Sequence, residues 1–154
     1  MAIALAEASR GAGEGEVPVG AVVVLDGREL ARAHNQPIQR SDPTAHAEVL
    51  ALRAAAARMG AYRLPGAVLY ATVEPCAMCL GAALHARVAR VVYGAPDPKG
   101  GAAGTVVDLS AVPALNHAVV VTAGVGAEES AHLLRAFFAA RRQRAARPAL
   151  RPTK

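Results

Sequence analysis

The sequence predicts a three-layer α/β/α fold, in which a mixed central sheet of about five strands is covered by helices. Short apolar segments of strand length alternate with segments of helical spacing. The 154 residues, 53% of them hydrophobic and 19% charged, suit one domain with a substantial core. Because no repeat or interior linker divides the chain, we expect a single domain over residues 1–146 and a basic, disordered tail at 147–154.

A β-hairpin follows the first predicted helix. Residues 2–9 have helical spacing, and a glycine-rich turn separates them from an apolar strand at 19–25. The pair Asp26-Gly27 is typical of a two-residue hairpin turn, so the returning strand is expected at 29–34.

The second predicted helix begins after a polar loop at 35–42. Asp42 is a suitable N-cap, and Pro43 suits the first helical position. Gly60 marks the expected end of this helix.

Strands and helices continue to alternate in the second half of the chain. The predicted elements are a strand at 67–73, a helix at 76–87 that begins after Pro75, a strand at 88–93, a loop at 94–104, a strand at 119–122 and a helix from 128 to about 144. The last helix has an apolar side, formed by Leu133, Leu134, Phe137 and Phe138.

The formal net charge of +5 is concentrated at the C-terminal end. Residues 135–154 hold seven of the 17 basic residues and none of the 12 acidic ones. A phosphate-bearing partner is therefore one interpretation of this end, and a purely solubilising segment is the other.

Apolar runs in the chain are too short to cross a membrane. The longest, at 20–25 and 118–125, have strand length, whereas a spanning helix needs roughly 20 residues. The first ten residues lack a basic leader before an apolar stretch, so we expect a cytoplasmic protein.

Two cysteines, Cys76 and Cys79, are spaced to bind one ion from a single helix face. Alone, this pair is equally consistent with a thiol redox site or with half of a metal site. His46 and Glu48 favour the metal site over the redox site, because both side chains can face the same ion if they lie in the first turn of a helix. One histidine and two cysteines leave a fourth tetrahedral position open to water, which is typical of catalytic zinc. Glu48 is then free to transfer protons.

The pattern H-x-E followed by P-C-x-x-C is the signature of zinc-dependent nucleobase deaminases. Further segments resemble the bacterial tRNA-specific adenosine deaminases of the cytidine and deoxycytidylate deaminase superfamily. These segments are EVPVGAV, HNQPI, DPTAHAE, EPCAMCLGAALHAR, RVVYGAPDPKGGAAG, PALNH and LLRAFFAARR. They cover nearly the whole chain before the tail.

The resemblance implies a cytidine-deaminase-like fold, one zinc ion per subunit, a homodimer, and conversion of the wobble adenosine of a tRNA anticodon to inosine. It implies that His46, Cys76 and Cys79 are the zinc ligands and that Glu48 is the proton shuttle. The implied substrate contacts are Asn35 for the flipped base, Pro18, Val19 and Ala47 for its pocket, Asp97, Lys99 and Asp108 for the flanking nucleotides, and Phe138, Arg141 and Arg142 for the anticodon loop.

Three of the implied peripheral contacts have a simpler alternative. Asp97 and Lys99 are also consistent with a solvated loop, and Phe138 with core packing. A homodimer is also favoured by an apolar face on the helix after Pro75, unless that face packs on the sheet; this face consists of Met78, Leu80, Ala82 and Ala83.

Two other functions remain open from the sequence. One is a deaminase of a free nucleobase or nucleotide, such as guanine or cytosine, which the zinc site alone does not exclude. The other is a non-catalytic, zinc-stabilised RNA-binding module, against which the retention of Glu48 argues.

Overall fold

Five helices and five strands lie within residues 1–146, the part of the chain that the computed structural model describes. The elements are α1 (Ala2–Gly13), β1 (Gly20–Leu25), β2 (Arg28–His34), α2 (Pro37–Arg40), α3 (Ala47–Met59), β3 (Val68–Val73), α4 (Ala77–His85), β4 (Arg90–Ala95), β5 (Val120–Thr122) and α5 (Ala127–Ala146). The predicted tail at 147–154 lies outside the described residues. No helix within 1–146 combines the length and apolarity that crossing a bilayer requires.

The five strands form one mixed sheet in the order β2-β1-β3-β4-β5, which confirms the predicted fold class. β1 is antiparallel to both β2 and β3, whereas β3, β4 and β5 run parallel. Parallel neighbours end at the same edge of a sheet, which is where α/β proteins place their sites. The segment after β3, which carries Cys76, and the loop after β4 therefore meet at this edge.

Successive residues of β1 face different helical layers, as the two-residue period of a strand requires. Ala21 and Val23 are buried in the main core together with residues of α3 and α4. Gly20 faces α1 instead, and a Cβ atom there would lie 2.0 Å from the carbonyl oxygen of Ala4. Since α1 also contacts α5, these two helices cover one face and α3 and α4 the other.

The predicted start of the second helix is wrong. α3 begins at Ala47 with His46 as N-cap, not at Pro43 with Asp42 as N-cap. Asp42 closes its own turn instead, because its Oδ1 accepts hydrogen bonds from the backbone nitrogen of Thr44 at 2.8 Å and from the Thr44 hydroxyl at 2.7 Å. Because α3 begins at Ala47, His46 and Glu48 both lie at the start of the helix.

Other boundaries differ by a few residues. α1 continues to Gly13, beyond the predicted end at residue 9. The predicted loop at 35–42 contains the short helix α2, which has Pro37 in its first turn. β4 begins at Arg90 and not at 88, because the backbone nitrogen of Val88 still bonds to the carbonyl oxygen of Ala83 and closes the end of α4.

The apolar face proposed for α4 is mostly part of the core. Leu80 and Ala83 are completely buried with the sheet residues. Ala82 is half-buried, and Met78 is 36% exposed. The periodicity argument that linked this face to a homodimer is therefore wrong for Leu80 and Ala83.

Candidate metal centre and substrate pocket

The starts of α3 and α4 bring three potential metal ligands together. His46 is the N-cap of α3, Cys76 is the N-cap of α4, and Cys79 lies one turn into α4. Within the described chain, neither N-cap side chain bonds to its own helix, although N-cap side chains commonly do. They point towards each other instead, and the three ligand atoms lie within 4.8 Å of one another.

The spacing of these ligand atoms fits a tetrahedral zinc ion. His46 Nδ1 lies 3.7 Å from Cys76 Sγ and 3.5 Å from Cys79 Sγ. Tetrahedral bonds of about 2.3 Å to sulfur and about 2.0–2.1 Å to nitrogen place those atoms about 3.5 Å apart. Two thiolates and one imidazole are also the donors that zinc prefers. The residues therefore fit one zinc ion with one coordination position left open.

Of the two cysteines, Cys76 is the one whose thiolate form is favoured. The pKa of the Cys76 thiol falls to about 3 because of its hydrogen bond with Cys79, and His46 acts in the same direction. The same contact raises the pKa of the Cys79 thiol, and burial adds to the effect. The hydrogen bond with Cys76 raises the pKa of His46. The sulfurs thus hold one proton between them, which a divalent metal displaces when it binds.

Glu48 is a buried carboxyl group in the first turn of α3. Only 3% of the residue is exposed, and its Oε2 atom has no hydrogen-bond partner within residues 1–146. Burial raises the pKa of this carboxyl. An unpaired polar atom in such a position costs stability, so its presence next to the three ligands indicates a chemical role.

Asn35 connects the residues that are predicted to form the base pocket, through one side-chain and one backbone hydrogen bond. The side-chain oxygen of Asn35 accepts a hydrogen bond from the backbone nitrogen of Ala47 at 2.8 Å. Its own backbone nitrogen donates to the carbonyl oxygen of Val19 at 3.0 Å. Pro18, next to Val19, is fully buried. The structure thus brings together all four residues of the predicted base pocket, next to the start of α3.

The loop after β4 carries the predicted contacts to flanking nucleotides. Asp97 is half-buried, whereas Lys99 and Asp108 are exposed. Asp97 Oδ1 accepts a hydrogen bond from the backbone nitrogen of Lys99 at 2.9 Å, and Asp108 makes an equivalent turn with Ser110. We refer to residues 97–105 as the Asp97 loop. Its residue Gly101 pairs with Cys76 in an isolated β-bridge, which places the loop beside the metal ligands.

The predicted basic contacts lie on the C-terminal half of α5. Arg141 and Arg142 are exposed, and 42% of Phe138 is exposed, so core packing does not account for Phe138. The Arg141 guanidinium lies 5.5 Å from the centre of the Phe137 ring, and Phe137 packs edge-on against Phe138. Arg141 and the half-buried Phe137 thus form a cation–π contact beside the exposed ring of Phe138.

Glu74 is a buried acid to which the sequence prediction assigned no role. It directly follows β3, just before Pro75, and is 2% exposed. Burial alone would raise the pKa of Glu74, but hydrogen bonds from Thr105, Asp97 and Ala103 outweigh burial and lower the pKa. An acid at a strand end, directly before the P-C-x-x-C motif, was the signal available in the sequence.

Comparisons with known proteins agree with this arrangement. The sequence model of the cytidine and deoxycytidylate deaminase zinc-binding region matches residues 1–95. The chain is 50% identical over 143 residues to the tRNA-specific adenosine deaminase of Agrobacterium fabrum, with 92% of this chain and 93% of that protein covered.

Solved structures show the same similarity. One similar structure comes from work on tRNA:A34 deaminases and their A-to-I editing at the wobble position of tRNA. It has a TM-score of 0.85 and 48% sequence identity to this chain, and the match covers 87% of this chain and 97% of that one. The guanine deaminase of Bacillus subtilis is more distant, with a TM-score of 0.62 and 36% identity over 96% of this chain and 94% of its own.

Proposed function

The chain belongs to the cytidine and deoxycytidylate deaminase zinc-binding family, and from this premise we propose that it hydrolyses adenosine to inosine at the wobble position of a tRNA anticodon. The observation that carries the proposal is the buried carboxyl of Glu48, whose Oε2 atom has no hydrogen-bond partner within residues 1–146, beside the converging side chains of His46, Cys76 and Cys79. A purely structural metal site has no use for such a group.

His46, Cys76 and Cys79 hold the metal in this proposal. When bound there, zinc lowers the pKa of a coordinated water to about 7 and so supplies a nucleophile at neutral pH. The placement of His46 and Cys76 at helix N-caps fixes both side chains through the backbones of α3 and α4. The third donor, Cys79, lies one turn further along α4.

Glu48 moves the protons. Burial raises the pKa of Glu48, which makes its ionised carboxylate a stronger base. The carboxylate can take one proton from the attacking water and pass it to a ring nitrogen of adenine, and then take the second proton of the same water and pass it to the departing amine. Proton transfer of this kind typically contributes about 10² to 10⁴ in rate. The products are inosine and ammonia, which balances the water consumed.

Asn35 orients the base. Its side-chain oxygen is occupied by the backbone nitrogen of Ala47, which leaves the amide NH₂ group as the part of Asn35 that can donate to the base. Pro18, Val19 and Ala47 form the apolar surroundings of the ring. Because Ala47 directly follows His46, a base held by Asn35 lies close to the metal ligands.

Two observations favour RNA over a free nucleobase as the substrate. The similarity to the tRNA deaminases is greater than to the guanine deaminase, with TM-scores of 0.85 and 0.62. A free base, moreover, gives no role to the exposed Phe138, Arg141 and Arg142 at the end of α5. We propose that these three residues bind the anticodon loop and that Asp97, Lys99 and Asp108 approach the flanking nucleotides.

We further propose that the protein works as a cytoplasmic homodimer. A groove at the surface between α3 and α4 is lined mostly by apolar residues, with Arg53 and His85 among them; the others are Val49, Leu52, Ala56, Tyr62, Ala82 and Ala86. Tyr62 is 73% exposed beside it, which is unusual for a large aromatic side chain. A second copy of the chain would cover this groove. The deaminase domain in this proposal is residues 1–146.

The decisive experiment offers several substrates to the zinc-loaded protein. An anticodon stem-loop with adenosine at position 34 is compared with free adenosine, cytidine and guanine, with a chelator-treated sample as the control. Inosine formed only in the stem-loop supports the proposed function. Turnover of free guanine or cytidine alone would support the rival class, and no turnover with zinc bound would favour a binding module.

A further inference from the structure

Glu74 connects the metal centre to the Asp97 loop. Its Oε2 accepts a hydrogen bond from the backbone nitrogen of Asp97 at 3.1 Å. Its Oε1 accepts hydrogen bonds from the backbone nitrogens of Ala103 at 3.0 Å and Thr105 at 3.1 Å. One buried carboxylate therefore binds both ends of the loop.

Backbone contacts continue the attachment on either side of Glu74. The backbone nitrogen of Glu74 donates to the carbonyl oxygen of Ala95 at 2.8 Å, and the nitrogen of Ala102 donates to the carbonyl oxygen of Pro75 at 2.9 Å. Gly101 then pairs with Cys76. The loop thus lies along the segment that leads directly into α4.

The fit between Glu74 and the loop is close. A Cβ atom at Gly101 would lie 2.3 Å from Glu74 Oε2 and 2.7 Å from the carbonyl oxygen of Asp97. Only glycine permits this approach. A carboxylate is also the side chain best suited to the position, because it accepts several hydrogen bonds and donates none, whereas all three loop partners are donors.

We propose that Glu74 is a positioning residue for RNA: it holds the Asp97 loop beside the metal centre so that Asp97 and Lys99 meet the nucleotides that flank the target adenosine. This inference rests on the proposed function. Glu74 acts on the RNA through Asp97. It accepts a hydrogen bond from the backbone nitrogen of Asp97, and the side chain of Asp97 in turn accepts one from the backbone nitrogen of Lys99.

Glu74→Gln tests the role with little change in size. The new amide NH₂ faces N–H donors and cannot accept from them, so at least one attachment is lost. We expect the Michaelis constant for the stem-loop to rise about tenfold, the maximal rate to stay within about twofold, and zinc content to be unchanged. Hydrogen exchange at the amides of Asp97, Ala103 and Thr105 should become about tenfold faster.

Three further variants separate positioning from general stability. Glu16→Gln is a matched control, because Glu16 is 1% exposed and accepts a backbone hydrogen bond from Gln39 at 2.8 Å, away from the Asp97 loop. It should leave exchange in the loop unchanged. Glu74→Asp retains a carboxylate and should restore part of the affinity. Gly101→Ala disturbs the same contact from the loop side and should raise the Michaelis constant as well.

The outcomes distinguish the two proposals. If the wild-type protein converts the stem-loop while Glu74→Gln keeps both its Michaelis constant and its loop exchange, the role of Glu74 is wrong and the function stands. Loss of zinc with a fall in maximal rate would make Glu74 part of the metal scaffold, which also overturns the inference. A wild-type protein that does not convert the stem-loop refutes the proposed function, and the RNA role of Glu74 with it.

Discussion

The side-chain oxygen of Asn35 lies 2.8 Å from the backbone nitrogen of Ala47, so the end of β2 satisfies a free N–H group in the first turn of α3. The first N–H groups of a helix have no partner within it, and an N-cap side chain usually supplies one. The N-cap here is His46, which faces the cysteines instead. Asn35 therefore satisfies one N–H group of the first turn of α3, while the side chain of His46 stays available for the metal.

Asn35→Ala should weaken both the fold and the reaction. The lost hydrogen bond leaves a buried N–H group unpaired, which lowers the free energy of unfolding by about 1–2 kcal/mol. Asn35→Asp is the matched variant, because a carboxylate still accepts from Ala47 but cannot donate to a base. We expect thermal unfolding to show a loss of stability in Asn35→Ala that is largely absent in Asn35→Asp. Stem-loop turnover should fall about tenfold or more in both. An Asn35→Asp protein with full activity would contradict the assigned base contact.

Cys76→Ala should abolish zinc binding at normal concentrations. Removing one of three protein ligands leaves His46 and Cys79, which cannot complete the site. Metal analysis after gel filtration is expected to give about one zinc per wild-type chain and close to none for the variant. The prediction fails if the variant keeps full zinc occupancy or if a fourth protein ligand is found at the site.

Glu48→Ala should separate metal binding from chemistry. Zinc content is expected to stay at the wild-type level, because Glu48 is not one of the three clustered ligands. The maximal rate should fall about 10² to 10⁴-fold with the loss of the proton shuttle. Stability should not decrease through lost hydrogen bonding at Oε2, since that atom has no partner within residues 1–146. Substantial residual turnover with zinc bound would exclude Glu48 as the shuttle.

Patterns that are local in the chain could be predicted from the sequence, and patterns that depend on distant residues could not. The strand and helix order and the sites of His46, Glu48, Cys76 and Cys79 follow from short-range signals. The start of α3 was misplaced because Asp42 can either cap a helix or close a turn on Thr44, and the sequence does not decide between these.

The missed role of Glu74 has a non-local cause. Its partners Asp97, Ala103 and Thr105 are more than 20 residues away and reach it only because β3 and β4 are parallel neighbours. The helix α4 presents a similar difficulty. It is apolar on several sides, so periodicity could not show that Leu80 and Ala83 face the sheet.

Tyr62→Glu should disrupt the proposed homodimer without unfolding the subunit. The side chain is 73% exposed, so the substitution removes little packing within one copy but places a charge beside the apolar groove of α3 and α4. Light scattering at micromolar concentration should give a dimer mass for the wild type and a lower mass for the variant. Val120→Glu is the control, because Val120 is 52% exposed on β5 and does not line the groove. A wild-type protein with only the monomer mass would refute the dimer.

Arg141→Ala combined with Arg142→Ala should weaken RNA binding while the chemistry survives. Both side chains are exposed on α5 and neither belongs to the metal cluster, so zinc content and saturating turnover should change little. Each lost phosphate contact lowers the slope of log affinity against log salt by roughly one unit or less. The Michaelis constant for the stem-loop should therefore rise, and the slope should become shallower by up to about two units.

Arg58→Ala is a control, because Arg58 donates to the carbonyl oxygen of Leu30 at the opposite end of α3 from the metal ligands. An unchanged affinity across the salt titration would mean that the basic end of α5 serves solubility, and the choice of tRNA as substrate would then depend on similarity to the tRNA deaminases alone.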